Sequence, residues 1–154
     1  LNLEVHQVGV LRPFQVGPYH VTAFPANHDR TVESLLFAVE HDGCTLFYGT
    51  DTGEFSPELW RAMQESTLIF DVVVLDHTYG PDHSGSAHLN AWQFIGHVDR
   101  MRDMGRISST TRVLATHISH DANPPHPQLS LFAAAHGYEI AHDGMVVYCR
   151  EPLR

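Results

Sequence analysis

Five side chains able to bind metal ions or move protons follow directly on apolar, strand-like runs. They are His28 after Ala23-Phe24-Pro25, Asp51 after Leu46-Phe47-Tyr48-Gly49, Asp76 and His77 after Val72 to Leu75, and His117 after Val113 to Thr116. Each alone has an ordinary explanation. A histidine past a strand is commonly a loop residue, and the Asp of Thr-Asp-Thr-Gly commonly forms an Asx turn. Their recurrence after β-branched runs points instead to ligands gathered at strand ends, where loops meet rigid backbone in layered α/β folds. Thirteen histidines in 154 residues strengthen the case, because neutral imidazole is the commonest protein ligand for metals.

The elements that must position these residues can be taken in chain order. Leu3 to Val10 and Tyr19 to Phe24 read as strands, with Gly17-Pro18 as a turn between them. A strand over 34–40 returns through Asp42-Gly43, a type I′ hairpin signal, into Cys44 to Tyr48. Tyr138 to Cys149 repeats the pattern around Asp143-Gly144 and predicts a closing hairpin. His41 and His142 flank these two turns and are read as turn residues. Ser56-Pro57-Glu58 starts a helix to about Glu65 that buries Leu59, Trp60 and Met63. Ile69 to Leu75 and Arg112 to Ala115 read as buried strands. Between them, a Gly/Ser/His-rich loop leads to a helix from about His88 to Met104, stopped by Gly105, with Ala91, Trp92, Ile95 and Val98 as its apolar face. Pro124 to Pro127 open a last helix, through Ala135. No linker divides the chain, so residues 1–154 are read as one unit.

Composition narrows the function classes. The net charge of −9 and nine scattered basic residues, of which Arg100, Arg102 and Arg106 form the only local group, make a nucleic-acid face a poor expectation. No apolar run approaches the roughly 20 residues of a membrane span, and Leu1 to His6 lacks the pattern of a signal peptide. Cys44 and Cys149 form no short motif and are expected as free thiols in the cytoplasm.

Taken in order, Pro25-Ala-Asn-His28, Leu46-Phe-Tyr-Gly-Thr-Asp51-Thr-Gly, Leu75-Asp76-His-Thr, His88-Leu and Ala115-Thr-His117-Ile-Ser-His120 resemble the second half of the metallo-β-lactamase-fold hydrolases. The nearest branch is that of the phosphoribosyl cyclic phosphate phosphodiesterases, with ribonuclease Z next. The resemblance implies an α/β fold, a mixed sheet with helices on one face, forming half of an αββα sandwich. It implies two divalent ions, Zn or Mn, with His28 as a ligand of the first, Asp51 bridging both and His117 binding the second. One carboxylate can serve two cations about 3.5–4 Å apart. It also implies that His88 touches the substrate phosphate and protonates the leaving oxygen, while a metal-bridging hydroxide attacks phosphorus. His120 and Asp121 are candidates to orient His117, Asp76 to tie down loop backbone, and His83 to line the substrate entrance.

The family's other metal motif, His-x-His-x-Asp-His, occurs nowhere in the chain. The missing initiator Met and this gap together suggest a preceding N-terminal half. Alone, the chain is expected to bind metal weakly, to be inactive, and to expose Val72, Val74 and Leu114 on an uncovered sheet face that meets the missing half or a second copy. In the complete protein the acidic balance favours a small phosphate ester as substrate over tRNA. A thioester or lactam substrate, or a non-catalytic binding or assembly role, remains the alternative.

Overall fold

A hairpin sets the direction of every strand that reaches the site. Asp42 and Gly43 adopt φ of 48° and 71°, the left-handed pair that a type I′ turn requires. They join β3 (Leu35–His41) to β4 (Cys44–Gly49). The computed structural model describes residues 5–29 and 31–149. Before this hairpin come β1 (Phe14–Val16) and β2 (Tyr19–Pro25), also antiparallel neighbours. After it the pattern changes. Helix α1 (Pro57–Glu65) leads to β5 (Val72–Asp76), α2 (Ala91–Asp103) to β6 (Arg112–Thr116), and α3 (His126–Ala135) to β7 (Glu139–Ile140). The strands β4 to β7 are parallel, and the sheet order is β1 through β7 in sequence. Since β2 is two antiparallel steps from β4, it points the same way. The loops after β2, β4, β5 and β6 therefore emerge at one edge, carrying His28, Asp51, Asp76 and His117 with them.

One face of the sheet meets the helices. Phe24, Leu36, Phe47, Val73, Leu75, Val113 and Ala115 join Leu59, Trp60, Met63, Phe94, Met101 and Leu129 in a single buried cluster. Each helix begins as its sequence dictates. Ser56 accepts from Leu59 N at 3.1 Å and Pro57 opens α1. Asn90 and Gln93 form a reciprocal capping box on α2. His88 therefore lies just before α2, not inside it. The apolar face of α2 buries Ala91 and Val98 as expected but differs at Trp92. Phe94, His97 and Met101 are buried, whereas Trp92 is 54% exposed and donates its indole N–H to Pro81 O. Among the described residues no helix is long and apolar enough to cross a membrane.

Three other expectations are corrected. Of the first predicted strand, residues 5–10 form no strand, and Leu3 and Glu4 lie outside the described residues. Leu11 N instead donates to Ala23 O, so the segment meets β2 at one point rather than by a ladder. The closing hairpin is absent: β7 has two residues parallel to β6, and 145–149 pair with no strand. Cys44 and Cys149 are not free thiols but form a disulfide, with Cα atoms 6.1 Å apart. At a sequence separation of 105, only the fold brings them together.

The disulfide also explains why Val72 and Leu114, expected to be exposed, are 5% and 1% exposed. Both point away from the helices. To reach Cys44 at the start of β4, the chain leaving β7 must cross β6 and β5 on that face. Met145, Val147 and Cys149 are half-buried while Val146 and Tyr148 are exposed, the alternation of an extended segment laid on a surface. Val74 is half-buried, and the face remains open at Tyr48, 46% exposed.

Candidate metal centre

His28, Asp51, His88 and His117 converge at the shared strand edge. The Asp51 carboxylate lies between two imidazoles, its Oδ1 3.1 Å from His117 Nε2 and 3.9 Å from His28 Nε2. The ring of His88 stacks on that of His117 at 5.0 Å and meets that of His28 edge-on at 4.8 Å. Asp51 and His117 both hold positive φ, 53° and 61°. This conformation costs an L-residue about 1–2 kcal/mol and clusters at functional sites.

The hydrogen-bond partners decide which ring nitrogens carry protons. His28 Nδ1 is 3.0 Å from Ala87 O, which can only accept, so the proton sits on Nδ1 and Nε2 is bare. His88 Nδ1 lies 2.9 Å from Asp76 Oδ2, again an acceptor, leaving its Nε2 free. His117 Nδ1 is 2.7 Å from Thr78 Oγ1, and that hydroxyl already donates to Asp76 Oδ1 at 2.9 Å. It therefore accepts from His117, whose Nε2 is bare as well. In the neutral ring, a bare nitrogen facing a carboxylate oxygen at 3.1 Å is repulsive unless a proton or a metal ion lies between them. Two ligand atoms bound tetrahedrally to one zinc-like ion sit about 3.3 Å apart. The separation of Asp51 from His117 fits that requirement, that from His28 at 3.9 Å is wider, and the donor set of imidazole and carboxylate suits a divalent ion.

Asp76 is fully buried at the end of β5. It ties down backbone as expected, accepting from Thr78 N, Leu89 N and Thr52 N, and it also holds His88. Thr78 was not singled out from the sequence. The available signal was Asp76-His-Thr after a strand, since a Thr two residues beyond an Asp is a common turn partner. Among the described residues, His120, Asp121 and His83 make no hydrogen bond or ion pair. The hydrogen bond at His117 Nδ1 is made by Thr78. His77 is buried against Phe94 and Tyr138, its Nε2 3.0 Å from the Tyr138 hydroxyl, and burial lowers its pKa. It belongs to the core. Beside His117 opens a cavity of about 660 Å³ lined by His120, His126, Leu129, Ile140 and His142.

Comparison with known proteins places the fold. The family described as Beta-lactamase superfamily domain matches residues 1–118. Coenzyme PQQ synthesis protein B of Azoarcus sp. (strain BH72) is 33% identical over 118 residues, covering 68% of this chain and 37% of that protein. The metallo-β-lactamase-fold protein YhfI of Bacillus subtilis superposes with TM-score 0.67 at 17% identity, covering 90% of this chain and 53% of that one. A diphosphatase of the PhnP family gives TM-score 0.63 at 20% identity, covering 92% and 47%. Zn²⁺-bound PqqB of Methylobacterium extorquens gives 0.58 at 15%, covering 90% and 53%. The chain thus spans about a third to a half of the proteins it matches. With its sheet, its strand-edge cluster and a match across most of its length, the chain belongs to the beta-lactamase superfamily and has the metallo-β-lactamase fold.

Proposed function

We propose that the chain supplies one side of a two-metal hydrolytic centre acting on a small phosphate ester. His28, Asp51 and His117 are the ligands in this reading, and His88 handles the proton. The observation that carries it is the pair of imidazole Nε2 atoms turned toward one carboxylate. Divalent ions at that position supply Lewis-acid stabilisation to charge developing on phosphoryl oxygens; zinc and manganese both suit the ligands. Asp51 Oδ2 has no partner among the described residues, so the same carboxylate can serve a second ion. Asp76 fixes the Nδ1–H of His88 and thereby presents its Nε2 to substrate, the geometry needed to pass a proton to a leaving oxygen.

The remaining ligands are assigned to a preceding segment carrying His-x-His-x-Asp-His, whose sheet would cover the face still open at Tyr48. Two observations favour a small ester over a polynucleotide. The chain carries net charge −9 with one small basic group at Arg100, Arg102 and Arg106, and the cavity beside His117 has small-molecule dimensions. The test uses the complete protein, dialysed against Mn²⁺ or Zn²⁺ and assayed on a bis-aryl and a bis-alkyl phosphate. Asp51→Ala should lose bound metal and hydrolysis together. His88→Ala should keep its metal and lose about 100-fold in turnover, most on the alkyl ester. Metal content unchanged in Asp51→Ala would remove the centre from this position; metal lost in His88→Ala would make His88 a ligand instead.

A further inference from the structure

Thr78 is 8% exposed and held on every side. Its N–H donates to Asp76 Oδ1 at 3.0 Å, and its carbonyl accepts from Ser119 N at 3.2 Å and from Asn123 Nδ2 at 2.8 Å. The hydroxyl donates to Asp76 Oδ1, so only its lone pairs face His117 Nδ1. The alternative anchor for that nitrogen is Asp76 Oδ2, but at 3.8 Å it is beyond hydrogen-bond range. Thr78 thus stands between the buried carboxylate and the imidazole.

We propose that Thr78 is a positioning residue that fixes His117 in the Nδ1–H tautomer and so keeps Nε2 bare toward Asp51. By the same contact, Asp76 organises two histidines at once, His88 directly and His117 through the Thr78 hydroxyl. The loop after β6 is locked to the loop after β5 by the carbonyl contacts of the same residue. A serine preserves this relay. A valine of equal shape removes it, leaving His117 Nδ1 without an acceptor and the imidazole free to place its proton on Nε2. The effect on metal affinity rests on His117 being a ligand, as proposed above; the effect on the tautomer does not.

The experiment reads both. Long-range ¹H–¹⁵N spectra of the metal-free chain at pH 8 should show His117 protonated at Nδ1 in the wild type and in Thr78→Ser, and shifted toward Nε2–H in Thr78→Val. Titration with Zn²⁺ should show affinity about 10–100-fold weaker in Thr78→Val and restored in Thr78→Ser. A wild-type His117 protonated at Nε2 overturns the inference, even if Thr78→Val does not fold. So does a Thr78→Val chain with unchanged tautomer and affinity. A complete protein whose His117 holds the Nδ1–H tautomer but which binds no metal sinks the hydrolytic reading while leaving the positioning role standing.

Discussion

The left-handed backbone at Asp51 gives that single position two separable duties. Its carboxylate sits between His28 and His117, while its φ of 53° turns the chain so that the buried Thr52 can donate its N–H to Asp76. Asparagine tolerates this conformation and alanine does not. Asp51→Asn and Asp51→Ala should therefore lose metal equally but differ in stability, with the alanine variant about 1 kcal/mol less stable by urea denaturation. Equal midpoints would mean that the turn is not strained. The two duties differ in how well the sequence shows them. Asp51, His28 and His117 stood out because each ends an apolar strand. The tautomer of each histidine was not legible, since it depends on Ala87 O, Asp76 and Thr78, oxygens reached across loops of 12 to 59 residues.

Among the elements, α2 carries a buried imidazole that the metal cluster does not use. His97 is 7% exposed. Its Nδ1–H donates to Gln93 O at 2.7 Å, and its Nε2 accepts from Phe55 N at 2.9 Å, docking the loop before α1 onto the helix. A proton on Nε2 would face the Phe55 N–H, and burial lowers the pKa from 6.5 to about 4. The unfolded chain takes up this proton near pH 6.5 and the folded chain only near 4. Stability is accordingly unaffected above pH 6.5 and falls as pH drops through that window, by on the order of 3 kcal/mol in full. His97→Gln, which can still accept from Phe55 N, should flatten the fall in melting temperature between pH 7 and pH 5. An unchanged slope would assign the acid sensitivity to other groups. The expected face of Ala91, Trp92, Ile95 and Val98 holds at Ala91 and Val98 but passes over His97, because only apolar residue types were counted into it. The Trp92 indole finds Pro81 O at the surface, and the buried stripe takes in Phe94, His97 and Met101 beside Ala91 and Val98.

For the whole molecule, the disulfide matters most to what was and was not predictable. Local signals were sufficient for the Asp42-Gly43 turn, the caps of α1 and the edge where four strands end. They failed for residues 141–149, because the alternation of Met145, Val147 and Cys149 looks the same whether a segment pairs as a strand or lies across a sheet. A cross-link closing about 100 residues stabilises by roughly 2–5 kcal/mol. Denaturation of Cys44→Ser, or of the chain under a phosphine reductant, should show a loss in that range with new accessibility of Val72 and Leu114 to an apolar dye. Two alkylatable thiols in the native, unreduced chain, with stability unchanged by reductant, would contradict the bridge.

The common strand edge has a thermodynamic consequence. Its cation-facing groups belong to loops after β2, β4 and β6, and they are adjacent only while the sheet between them is intact. An ion bound there recognises the folded chain alone, so its chemical potential enters the folding equilibrium directly, adding about 2.7 kcal/mol at a hundredfold excess over Kd. The melting temperature is then a property of the chain and its free-ion concentration together, and a buffer that sequesters divalent ions measures a different molecule from one that supplies them.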